Sequence, residues 1–183
     1  VVMKALKYGA IAIGLLSLVA VVVVLFSYLR TEQDIAAFRK DVVTFGTLFP
    51  APALDAEELQ HLPEPVRKFF AFTFTGQVPP HTSVHLKAKG QFRRPLTESF
   101  SETSVEQVIA IGTPALVFSA TTPIVPGIWA RAYDYFAQGK MEMKAKVLSA
   151  ITVVDLRESQ ELNRISLRRW LLESGLYPQG LLP

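Results

Sequence analysis

The chain has 183 residues, a formal net charge of +3 and no cysteine. That length accommodates one domain plus an appendage, and the missing thiols exclude disulfides, thiolate metal sites and cysteine nucleophiles. Without Lys4 and Lys7, 17 of the 19 basic residues remain against 16 acidic ones, so the rest of the chain is near neutral and lacks the basic footprint of a nucleic-acid-binding surface.

From Tyr8 to Leu29 the chain reads YGAIAIGLLSLVAVVVVLFSYL, 22 residues without a charge. As a helix rising about 1.5 Å per residue this run is about 33 Å long, against a hydrocarbon core of about 30 Å. A cleaved signal peptide would have an apolar region of about 7–15 residues followed by a small-x-small cleavage site. The flank LFSYLRTEQ offers no such site, so a retained transmembrane helix is expected, with residues 1–29 as tail and span. Gly9, Ala10, Ala12, Gly14 and Ser17 supply small side chains on which a neighbouring membrane helix could pack closely. Lys4 and Lys7 precede the run, whereas Arg30, Arg39 and Lys40 follow it. The balance leans slightly to the amino terminus inside and the domain outside, as in an ordinary single-pass signal anchor.

Residues 30–52 are expected to form an amphipathic stalk. Ile35, Phe38, Val42 and Phe45 fall at helical intervals, with Thr31, Gln33, Asp34, Arg39, Lys40 and Asp41 as the polar remainder, until Pro50 and Pro52 stop the helix. The domain then occupies 53–183. Asp55 with Glu58 has the form of a capping box, Leu54 and Leu59 stand at the staple positions, and a short helix is expected near Ala56–Gln60. In HLPEPVRKFFAFTFTG, Pro63 and Pro65 preset the first turn of a second helix, with Val66, Phe69, Phe70 and Thr73 on one side. The phenylalanines read more simply as a packing face than as an aromatic ligand platform.

From Ser83 the period becomes two. Val84, Leu86, Ala88 and Phe92 alternate with His85, Lys87, Lys89 and Gln91, a half-buried strand. RRPL turns the chain, and Glu98, Glu102 and Glu106 return opposite the lysines. GTP at 112–114 and PIVPG at 123–127 punctuate further strands: ALVFSATT, IWARAYDYF and, after AQGK, a run MEMKAKVLSAITVV. Gln160 to Ser174 reads as a closing helix with Leu167, Trp170 and Leu171 inward, ended by Gly175, with Leu176 placed to touch Leu171. The fold class expected is α+β, a single transmembrane helix followed by a small domain of curved antiparallel β-sheet with flanking helices.

Handles for chemistry are sparse. His81 and His85 are four apart, but in a strand that separates them by about 13 Å, too far to share one zinc. No phosphate loop, Gly-x-Ser-x-Gly elbow or His-Glu-x-x-His run occurs, and neither a metal nor a cofactor is expected. Asp134 is the most informative polar position, because it alternates with Ile128, Ala130, Ala132 and Phe136 on the smaller, more apolar face of its strand. A carboxylate there is either hydrogen-bonded within the structure or part of a site, and the structural role is favoured because no partner is visible. Trp129, Tyr133 and Tyr135 form the opposite aromatic face, available to a partner, a ligand or a packed helix. Glu173 is expected to ion-pair with Arg168 or Arg169 on its helix.

The segments LPEPVRKFF, GIWARAYDYFAQG, VVDL and LLESGLYPQGLLP, in this order and spacing, resemble a bacterial family of uncharacterised proteins, a domain often preceded by membrane helices. The likeness covers roughly His61 to Pro183 and implies an architecture, not a reaction. Similar chains usually continue with further strand-like sequence, so the expectation is either a short chain or a domain incomplete at its C-terminal end. The function expected is a non-catalytic, membrane-anchored accessory subunit stabilising a larger integral-membrane protein complex, such as an energy-transducing respiratory or photosynthetic assembly. The alternative is a lipid or hydrophobic-ligand binding domain, its curved sheet lined by Val84, Leu86, Met141 and Met143. An enzyme using Asp134 is a weaker third.

Overall fold

A computed structural model describes residues 2–53, 56–74, 81–94 and 97–182. The cap and staple expected at Leu54 and Asp55, and the turn at Pro95 and Leu96, lie outside the described residues. The architecture is α+β. A 47-residue helix, α1 (Val2–Leu48), leads to two short helices, α2 (Ala56–Gln60) and α3 (Glu64–Thr73). Six strands follow: β1 (Ser83–Arg93), β2 (Phe100–Ala110), β3 (Ala115–Val125), β4 (Ile128–Ala137), β5 (Lys140–Val147) and β6 (Ile151–Arg157). They form one antiparallel meander in chain order, an open sheet with β1 and β6 as its edges. Helix α4 (Gln160–Leu172) and two single-turn 3-10 helices, Glu173–Leu176 and Pro178–Leu181, complete the chain.

The first part of α1 is long and apolar enough to cross a membrane, and among the described residues none buries its most apolar window. The second part belongs to the domain. Instead of standing clear as a stalk, residues 31–48 lie on one face of the sheet, where Val42 with Phe38 and Phe45 packs on Val108, Ala110, Val117 and Ala137. Thr31, expected on the polar side, is fully buried because that side also meets the sheet. Arg39 likewise turns inward, pairing with Glu106 and donating to Ser119 Oγ at 3.2 Å. Glu106 is also held by Lys87, its register partner on β1, at 3.3 Å. Burial works to raise the Glu106 carboxyl, but Arg39 and Lys87 outweigh it and hold it below its ordinary value. Arg131 on β4 makes a two-pronged ion pair with Glu32, at 2.7 and 3.0 Å.

Helix α1 runs from one end of the sheet to the other. Its Thr31 hydroxyl meets the β5–β6 turn at Ser149 O, 3.5 Å away. Fifteen residues later, Gly46 presses on the Thr82 backbone at the start of β1, and beyond the helix Phe49 to Ala51 crowd Gly112 in the β2–β3 turn. A side chain at either glycine would collide with main chain. The strand ends therefore divide into an anchor end, at the β3–β4 and β5–β6 turns, and a far end.

On the opposite face only the far half is covered. There Trp170 of α4 and Tyr177 close over Ile109, Leu116, Phe136 and Met141, and the Trp170 indole donates to Ala110 O at 2.9 Å. Ser159 caps α4 by accepting from Leu162 N at 3.2 Å. Of the residues expected inward, Trp170 is buried, whereas Leu167 and Leu171 are exposed. The helix instead turns Leu162, Ser166, Arg169 and Trp170 toward the sheet, so its buried side is partly polar. The run MEMKAKVLSAITVV also departs from expectation: it is two strands, broken where Leu148 and Ser149 take positive φ of 53° and 58°. No glycine, proline or asparagine marks that turn. In α3, Phe70 is buried, as expected, but Phe69 and Val66 are partly exposed.

Candidate functional site

The uncovered half of the second face is a trough. Its floor is one register row crossing all six strands, Ala88, Val105, Ala120, Ala132, Ala145 and Val154. Short side chains there leave the sheet hollow. The next row toward the anchor end holds Gly90, Thr103, Thr122, Ala130 and Val147, with the two threonine hydroxyls hydrogen-bonded to each other at 2.9 Å. The next row toward the far end is bulkier, with Gln107, Phe118, Asp134 and Met143. The step from small to large side chains, with α4 behind it, makes the far wall. On β6 a bulge between Thr152 and Val154 brings both Val153 and Val154 to the trough. The volume enclosed is about 680 Å³, within the span of about 300–1,000 Å³ usual for small-molecule sites. Its lining is almost wholly apolar, with Lys89 and Arg94 at its edge.

The far wall ends in a compact ion network. Arg169 donates to Asp134 Oδ2 and to Glu173 Oε1, each at 2.8 Å, and to Gln107 Oε1 at 3.2 Å. Gln107 returns a bond from Nε2 to Glu173 Oε2 at 2.5 Å. The guanidinium also stands 4.6 Å from the centre of the Phe118 ring. Burial pushes the Asp134 carboxyl above its ordinary value; the Arg169 charge opposes that shift without cancelling it, and Glu173 adds to it. The network satisfies its own members, so it closes the trough with paired charge and leaves the apolar surface as the feature a ligand would meet.

Asp134 is thus the one candidate contact on the trough, and its partner, Arg169, lies 35 residues away in the chain. Tyr133 and Tyr135 face α1: Tyr133 is fully buried, and Phe38 stacks on Tyr135 with ring centres 4.3 Å apart. Burial raises the Tyr133 hydroxyl to about 12. Trp129 sits at the anchor end beside α1. Of the four apolar residues expected to line a ligand, Met143 lies at the trough wall, while Val84, Leu86 and Met141 belong to the core under α4, on which Met143 also packs. Gly9, Ala10, Ala12, Gly14 and Ser17 lie on the exposed part of α1, and among the described residues nothing beyond the adjacent helix backbone comes within 4 Å of where a Cβ at Gly9 or Gly14 would stand. Among the described residues no three His, Asp or Glu side chains are grouped to hold a metal ion.

An open six-stranded meander with an apolar trough, carried on a helix long enough to cross a membrane, defines the class of protein. The chain belongs to the family of unknown function DUF6920, whose model matches residues 60–183. No curated protein and no solved structure matches it.

Proposed function

We propose that this protein is a single-pass membrane protein whose domain binds an apolar, chain-like ligand, such as a lipid, in the trough. The observation that carries the reading is the uncovered apolar hollow of about 680 Å³. A concave, mostly apolar hollow of this size is the usual form of a small-molecule site. The floor of alanines is a selective feature too: larger residues would fill the hollow and make an ordinary core.

The test is to fill it. Ala132 lies mid-floor between Ala120 and Ala145, so Ala132→Trp should occupy the trough. Native mass spectrometry of the full chain released from lipid nanodiscs should show lipid adducts for the wild type and few for the variant, at an unchanged melting temperature. Equal adducts on both proteins would refute the reading.

An accessory subunit of a larger integral-membrane complex, with its domain on the periplasmic side of a bacterial inner membrane, is the second proposal. It is favoured by the bare small-residue surface around Gly9 and Gly14, on which another helix could pack. Gentle extraction should then recover a larger integral-membrane protein whose association fails in Gly9→Leu/Gly14→Leu, while trough filling leaves it intact.

A further inference from the structure

We propose that the anchor end of the sheet is itself seated in the bilayer, so that the trough opens onto the hydrocarbon of the leaflet and fills by sideways entry of a lipid chain. The route of entry rests on the trough being a lipid site; the seating of the sheet does not.

The depth follows from α1. After Lys7 no charge occurs until Arg30, so Ala20 to Tyr28 form the last part of the apolar run and lie within or at the edge of the hydrocarbon. The sheet reaches that level. Ala20, Val21, Val24, Leu25 and Tyr28 face Gly127, Trp129 and Leu148 across an apolar crevice of about 470 Å³. The first charged contacts between helix and sheet come one turn further along, where Lys146 Nζ donates to Thr31 at 3.0 Å and Arg131 holds Glu32. From β3 to β6 the sheet therefore changes from apolar to charged at the same height as the helix; on the edge hairpin Arg93 and Arg94 stand at the anchor end among the exposed Phe92 and Phe100, with side chains long enough to carry their charge to the headgroups. Trp129 stands at the boundary, where indole rings are enriched.

The turns are dressed for that setting. Val125, Ile128, Ile151 and Val153 are 52%, 38%, 62% and 59% exposed, and all stand at the anchor end. In water such tips would be a liability; in lipid they are ordinary. Leu148 adds a second sign. It holds a left-handed backbone with φ 53°, a conformation that is costly for a bulky residue, while its N–H donates to Trp129 O at 2.9 Å. Glycine or asparagine would turn more cheaply there, but neither would bring an apolar side chain against the membrane part of α1.

The mouth of the trough lies at the same end. Its far end is shut by α4 and the Arg169 network, whereas Ile124, Val147 and Val153 line its anchor-end opening. A lipid chain entering there would pass from bilayer to alanine floor without crossing water.

Because the chain has no cysteine, single-cysteine labelling is unambiguous. Val125→Cys, Ile151→Cys and, as a control on α4, Glu161→Cys would each carry an environment-sensitive nitrobenzoxadiazole dye, in full-length protein in phosphatidylcholine nanodiscs. Dyes at 125 and 151 should be quenched several-fold more strongly by doxyl-labelled lipid than the dye at 161, and should resist aqueous iodide. Iodide quenching at 125 and 151 equal to that at 161, or shielding from both quenchers, would overturn the seating. In parallel, a phosphatidylcholine with a diazirine on its acyl chain should crosslink to the trough floor in the same discs. Crosslinks without doxyl quenching would mean that lipid arrives by another route and would refute sideways entry. Doxyl quenching without crosslinks would leave the sheet seated in the bilayer and would refute lipid binding in the trough.

Discussion

Removing Arg169 should damage the domain more than removing the charge it neutralises. In Arg169→Ala, Asp134 loses the one cation it pairs with among the described residues, and its side chain is just 16% exposed. Breaking a fully buried pair in this way costs about 3–5 kcal/mol. The Arg169 side chain is 28% exposed, so water recovers part of that, and about 2–4 kcal/mol is the expectation after the discount. Asp134→Asn keeps an oxygen to accept from Arg169, which still has Glu173; a loss of about 1 kcal/mol is expected, the scale of one hydrogen bond. The double variant should be more stable than Arg169→Ala alone. The pH dependence has a definite sign. A carboxyl whose folded value lies above its unfolded one binds its proton more tightly when folded, so stability rises as pH falls through the folded value toward about 4. Without Arg169 the folded value climbs further, and the deficit of Arg169→Ala should shrink between pH 7 and pH 5. Urea unfolding in mild detergent, followed by tryptophan emission from Trp170 beside Tyr177, reads all of this. Equal losses in both single variants, or a deficit unchanged with pH, would refute the account of the network.

Three further outcomes are expected. Phe70→Ala should cost about 3–5 kcal/mol through lost burial and the cavity left behind, whereas Phe72→Ala, 85% exposed, should stay within about 0.5 kcal/mol; melting temperatures of the two variants check this. Gly46→Val would drive a side chain into the Thr82 backbone and should destabilise by about 1–3 kcal/mol, as overpacking does, measurable in the same urea titration. Deleting residues 1–29 should leave a folded domain by circular dichroism, while deleting 1–52 should not, because the second deletion strips Val42, Phe38 and Phe45 from the sheet.

What could be read from the sequence was local. Prolines and glycines marked the β2–β3 and β3–β4 turns at Gly112 and Gly127, because those residues interrupt strands by their own backbone chemistry. The β5–β6 turn carries no such mark: Leu148 and Ser149 are forced into left-handed angles by contacts with Trp129 and Thr31, which are remote in the chain. The alternation of Ala130, Ala132 and Asp134 correctly separated a small face from an aromatic one. It could not tell which face stays open, since that depends on α4 covering only the far half. Arg169 is readable as the partner of Glu173, four residues on, but its bond to Asp134 joins elements separated by two strands. The inward side of α4 is legible only in part: Trp170 is buried as its spacing predicts, but Leu167 and Leu171 are exposed, because the helix gives part of its inner surface to that ion network.

One helix supplies both a stretch apolar enough to span a membrane and half of the domain's core. There is no slack between the two: a domain on a flexible linker can tumble and sample the space around its tether, but this one is held at a fixed heading to the apolar stretch by packing that continues from Thr31 to Gly46. With that stretch in a bilayer, as proposed above, a partner would have to come to the domain, either sideways through the plane of the membrane or onto the face that the mounting leaves clear. The local concentration that matters for binding would then be one per area of bilayer, and not one per volume of solution.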